Sequence, residues 1–172
     1  MANQNVKTKI TRESYQRVND VKRHVGTLIG KLSIRVKHPD EDWVDLGTVS
    51  EAIVTQGAIA QIISVLQGGS AATLQSFRFH ASGTGNAAEA SSNISLGAEV
   101  ESRESGTQVS LGAGNYRSVA THAYAAEFAI TEHGLFSASS GGVLFDRSKF
   151  APILVGAGTS IEFTYDLTIF GS

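Results

Sequence analysis

Near the C-terminus, over residues 159–170, Ile161, Phe163, Tyr165, Leu167 and Ile169 alternate strictly with Glu162, Thr164, Asp166 and Thr168. Successive side chains of a strand leave opposite faces, so this period sets a row of bulky apolar groups against a row of polar ones, an arrangement that no helix can produce. The segment reads as a strand with one buried face. The same period recurs in Leu32, Ile34 and Val36 against Ser33, Arg35 and Lys37, and a turn at His38-Pro39-Asp40-Glu41-Asp42 leads back into Trp43-Val44-Asp45-Leu46. That is the pattern of a hairpin. Residues 74–80, 115–124, 127–136 and 143–150 read as further strands, divided by clusters of Gly, Ser and Asn. The expected fold is mainly β: an antiparallel β-sandwich or jelly-roll-like body with one or two short helices and an N-terminal basic arm.

Two helices are expected. Thr11 can cap one that carries Glu13 in its first turn, then Tyr15, Val18, Val21 or Lys22, and Val25, with Gly26 as the stop. Ser50 can cap another, over residues 51–67, in which Ile53, Val54, Ala58, Ile62, Val65 and Leu66 form the apolar stripe and Gly68-Gly69 ends it. Glu51 is its single charge, which points to a helix covered by protein over most of its circumference. The domain division that follows is an arm over residues 1–30 and one β domain over 31–172. With 172 residues, one core is expected rather than two.

Charge is unevenly distributed. Residues 1–38 hold nine Lys or Arg against Glu13 and Asp20, whereas the remainder holds five basic residues against fourteen acidic ones. A basic arm on an acidic body fits docking on an acidic protein surface or head-to-tail contact with another copy. Lys7, Lys9, Arg12, Arg17, Lys22 and Arg23 are the candidate docking residues. Nucleic acid is disfavoured, because the arm offers one aromatic, Tyr15, and no helix-turn-helix or finger pattern. The start of the chain lacks the apolar run of a signal peptide and no stretch approaches a membrane span, so synthesis in the cytoplasm is expected.

Several chemistries are excluded or weakened. The chain contains no cysteine, which removes disulfides, thiolate catalysis and cysteine-ligated metals. Gly83-Thr84-Gly85-Asn86-Ala87-Ala88 fits G-x-G-x-x-A, with Glu101 downstream, but residues 86–93 supply no large apolar side chain to seat a helix on a sheet. A surface loop is expected there. His24, His38, His80, His122 and His133 lack metal-ligand spacing. Glu132 and His133 are adjacent, so on a strand they point to opposite faces and cannot jointly serve one substrate. Asp40, Asp42 and Asp45 hint at a calcium loop, yet Val44 and Asp45 stand where such a loop needs a ligand and a glycine. No G-x-S-x-G surrounds any serine. Glu99, Glu101, Glu104 and Glu127 could be paired as glycosidase carboxylates, but one Trp and four Tyr are a poor supply of sugar platforms. No enzyme activity and no cofactor are expected.

A longer pattern adds a resemblance. Phe79-His80-Ala81-Ser82-Gly83-Thr84-Gly85 with Ala88-Glu89-Ala90, Tyr116-Arg117-Ser118-Val119, Ala129-Ile130-Thr131-Glu132-His133-Gly134-Leu135-Phe136, Gly142-Val143-Leu144-Phe145-Asp146-Arg147 and residues 161–168 together resemble a family of small structural proteins from tailed bacteriophages. The likeness covers about residues 74–170. It implies a virion location and a partner such as the major capsid protein or another virion protein, with self-association, a trimer being favoured. The expected role is capsid decoration (cement), bridging capsomers. A neck, tail or fibre adaptor is the alternative within the virion, and a carbohydrate-binding β-sandwich module is the alternative of another class.

Overall fold

The computed structural model describes residues 27–112 and 114–170. Among them are nine strands and two short helices in the order β1 (Thr27–Lys37), β2 (Val44–Val54), α1 (Gln56–Leu66), α2 (Ala72–Gln75), β3 (Phe79–Gly83), β4 (Glu99–Ser105), β5 (Thr107–Ser110), β6 (Asn115–Ala123), β7 (Phe128–Phe136), β8 (Leu144–Val155) and β9 (Ser160–Phe170). All pairings are antiparallel, in the spatial order β4-β3-β7-β8-β2-β1-β9-β6-β5. The sheet folds on itself into a nearly closed sandwich. β2 is the seam on one side, since only Ile53 and Val54 pair with β8, at Arg147 and Asp146. On the other side the chain passes directly from β4 to β5 through Gly106, whose N–H donates to the Arg78 carbonyl at 2.7 Å.

Period-two patterning built the core as expected. Leu32, Ile34 and Val36 of β1 and Ile161 and Phe163 of β9 meet Ile130, Phe150 and Val155 from the facing half. The outward rows of the same strands pair across the sheet: Arg35 with Glu162 at 2.6 Å and Arg117 with Asp166 at 2.6 Å. Toward one end, Phe77, Leu135, Phe145, Tyr165 and Leu167 form a second cluster under α1. A third, Ala81, Leu96, Phe136 and Leu144, lies where the loop after β3 covers the sheet.

Three expectations change. The helix expected over 51–67 begins at Gln56, because Ile53 and Val54 are taken into the β2–β8 ladder; Thr55 rather than Ser50 is the cap, accepting from the Ala58 N–H at 3.1 Å while its hydroxyl donates to the Leu144 carbonyl. Only Ala58 of α1 is buried, so the domain itself does not cover this charge-free helix. The strand expected at 74–80 is instead α2 followed by β3, with Ser76 ending the turn by bonding back to the Thr73 carbonyl at 2.7 Å. The helix expected after Thr11 and the docking residues Lys7, Lys9, Arg12, Arg17, Lys22 and Arg23 lie outside the described residues. Strand β1 begins at Thr27, inside the span assigned to the arm.

Candidate functional site

The most elaborate polar construction centres on Glu132 of β7. A register slip between Ile130 and Glu132 turns both Thr131 and Glu132 toward the loop that follows β3. The Glu132 carboxylate is fully buried and accepts from the N–H groups of Gly85 at 2.9 Å, Ala98 at 2.8 Å and Gly97 at 3.0 Å. Arg147, from the neighbouring β8, closes the set at 2.7 Å. Its guanidinium also donates to the carbonyls of Ala87 and Ala88 and to Asn93 Oδ1, each at 3.1 Å. Burial alone would raise the Glu132 pKa, but the three backbone N–H groups and Arg147 more than offset it and hold the carboxyl below its ordinary value.

This hub explains the glycine motif. A Cβ on Gly83 would stand 2.6 Å from Glu132 Oε1, and one on Gly85 would overlap the same oxygen. The glycines make room for a carboxylate of the protein rather than for a phosphate. With its lone pairs engaged by protein donors, Glu132 is a loop anchor. As expected, Glu132 and His133 face opposite ways: His133 points into the sandwich, its ring 4.7 Å from that of Phe163.

Inside the sandwich three imidazoles gather. His80 Nδ1 lies 2.9 Å from His133 Nε2, and His80 Nε2 lies 2.8 Å from Ser118 Oγ, so β7, β3 and β6 are tied through the core. His122 lies close by, edge-on to Phe163 at 5.3 Å, and Tyr124 bonds to Ser82 at 2.9 Å. Burial lowers the His80 pKa to about 3, aided by His122, and lowers His122 to about 4. His133 is also driven well down, by burial and then by the other two rings. All three are neutral at physiological pH. Gly106, where the chain changes sheets, passes so near that a Cβ would stand 2.7 Å from His80 Nε2.

A further buried carboxyl, Asp146 on β8, is pushed well above the usual carboxylate range by burial, with the Glu89 charge adding to the rise. It and the Tyr165 hydroxyl converge on the space beside Gly30. Among the described residues no three His, Asp or Glu side chains are grouped to hold a metal ion. Asp40, Asp42 and Asp45 lie on the exposed β1–β2 hairpin, where Asp45 accepts from the Gly47 N–H at 2.8 Å. Glu99 is bound to Arg103 at 2.7 Å, and Arg103 lies over the Phe136 ring at 3.4 Å.

The outside of the body carries apolar side chains in separate places. On the hairpin, Trp43, Val44 and Leu46 are exposed, with Arg35 over the Trp43 ring at 4.7 Å. At the opposite end, Ile59, Ile63 and Leu66 of α1 are exposed beside an apolar pocket of about 180 Å³ walled by Ile62, Leu74, Phe77, Tyr116, Leu167 and Ile169. Sequence reading had no signal for the Arg147 hub or the histidine cluster, whose members stand far apart in the chain. No family model, no curated protein and no solved structure matches this chain.

Proposed function

We propose that this chain is a structural protein of a tailed-phage virion, a capsid decoration (cement) protein that self-associates and bridges capsomers. The observation that carries the reading is the β1–β2 hairpin. It presents Trp43, Val44 and Leu46 to solvent among Asp40, Glu41, Asp42 and Asp45, whereas residues 1–26 hold six Lys or Arg against two acidic residues. Apolar anchors among four acidic side chains, with Arg35 and Lys37 of β1 as their basic neighbours, on a chain whose residues 1–26 carry the opposite sign in excess, suit repeated head-to-tail contact in a symmetric shell. The polar interior supports the same reading: Glu132, Arg147, His80 and His133 bind protein groups and brace loops and sheets. Residues that carry the resemblance to phage virion proteins, among them His80, Gly83, Gly85, Glu132 and Arg147, are those of the hub and the histidine cluster.

Electron cryomicroscopy of particles containing the chain tests this. Density for the sandwich on the capsid, with copies touching one another, is the expected result. Density at the neck, tail or fibre favours the adaptor role instead, and absence from the particle defeats both.

A further inference from the structure

We propose that the exposed flank of α1 pairs with the α1 of a second copy, antiparallel across a two-fold axis near Ile63, so that Ile59 of each copy meets Leu66 of the other. The proposal rests on the self-association in the reading above and names its face; it does not depend on the virion location.

The spacing along the helix is the first argument. Ile59, Ile63 and Leu66 are 47, 46 and 77% exposed and stand four and three residues apart, so they form one narrow seam. That is the spacing of a helix that pairs with another helix, whereas a helix lying on a sheet needs a broader stripe. The contact of α1 with its own domain is already made, through the fully buried Ala58 and through Ile62 in the pocket wall. Beside the seam stand Ala60 and Ser64, both exposed and small enough to let a second backbone approach closely. An antiparallel partner centred near Ile63 is the register that covers all three seam residues in both copies.

Charge decides which partner fits. Residues 52–77 contain no charged residue, so α1, α2 and the loop between them carry none. A two-fold contact sets each group near its own counterpart, and a patch with net charge repels itself there. The exposed apolar group on the hairpin lies among Asp40, Glu41, Asp42 and Asp45, which unsuits it to such a contact. A foreign partner would find no charge on α1 to steer it or to fix its register. Three side chains from each copy fall short of the roughly 800 Å² per partner of a stable complex. The contact is therefore weak between free molecules and strengthens where copies are held close together.

The chain has no cysteine, so a single introduced one reports the contact. In the full chain under copper-phenanthroline oxidation, Ile63→Cys should form a disulfide-linked dimer at least tenfold faster than Thr121→Cys, an exposed position on β6, after correction for the alkylation rate of each thiol. Adding Ile59→Lys or Leu66→Glu to Ile63→Cys should lower the rate to that of the control. Adding both should restore it, because the antiparallel register sets each introduced cation beside an introduced carboxylate. Equal rates for Ile63→Cys and Thr121→Cys, or no recovery with both charges present, overturn the proposal. Copies that touch only through another face in the particle also overturn it while leaving the virion reading intact. Rapid linkage with charge recovery supports the contact even where the chain proves absent from particles.

Discussion

Acid should unfold this protein through its core histidines well before its carboxylates are titrated. His80 and His122 titrate at about 3 and about 4 in the folded chain, against 6.5 unperturbed, and His133 is lowered as well. A histidine whose folded pKa is depressed contributes stability that is complete above its unfolded pKa and is lost as pH falls below it, because the unfolded chain then binds a proton the folded one refuses. Between pH 6.5 and 5 three such groups remove up to three protons' worth of stability, each about 1.4 kcal/mol per pH unit. Asp146 acts in the opposite sense. Its raised pKa keeps a proton in the folded state that the unfolded chain releases above about 3.8, so acidification returns at most one proton's worth. Because each unfolded imidazole is already half protonated at pH 6.5, the histidines lose about 1.6 kcal/mol each, and the net loss from pH 6.5 to 5 is about 3 kcal/mol, a large share of the stability of an ordinary domain. The low pKa of Glu132 matters only below its unperturbed 4.5, outside this window. Urea titrations at half-unit pH steps give the curve. His122→Leu should flatten the acid limb by about one proton, whatever it does to stability at neutral pH. Stability that is level from pH 6.5 to 5 would refute the buried, neutral cluster.

Three further outcomes follow from packing and backbone geometry. Arg147→Met leaves the buried Glu132 carboxylate without its counter-ion and should cost about 3–5 kcal/mol in chemical denaturation, with residues 84–98 becoming protease-sensitive. Phe136, 1% exposed and packed with Ala81, Leu96 and Leu144, should cost about 3–5 kcal/mol on Phe136→Ala, whereas a melting temperature within a degree or two of the parent would contradict its place in the core. Glu101 holds a φ of 57° where β4 slips register against β3, so Glu101→Gly should stabilise by up to about 1 kcal/mol, and a loss of stability would indicate that the Glu101 side chain makes a contact of its own.

What the sequence disclosed depended on how far apart the cooperating residues stand. Alternation in β1 and β9 is local, and it identified the buried rows correctly, from Leu32 to Phe163. The end of β2 misled because Ile53 and Val54 suit a helix stripe as well as a strand, and the ladder to Arg147 and Asp146 that decides between them lies some ninety residues away. Strands β4 and β5 escaped notice since Glu99–Ser105 and Thr107–Ser110 are mostly exposed edges with no apolar alternation. At Gly134 a side chain would strike Leu144 and Leu96 at 2.9 Å, and the register slips of β7 fall on either side of it, after Ile130 and after Leu135, where the sequence carries no mark of them. The glycine motif was legible as a loop and silent about its purpose, because Glu132 and Arg147 join it only in three dimensions. His80, Ser118 and His133 likewise meet only when the sheet closes on itself.

The proposed role as a repeating structural component of a phage capsid is tested by the stoichiometry of purified particles. Quantitative mass spectrometry against the major capsid protein should find hundreds of copies per particle, in fixed ratio to the capsomers. A number fitting a single ring would assign the chain to the neck or tail, and particles that lack it altogether would contradict the claim.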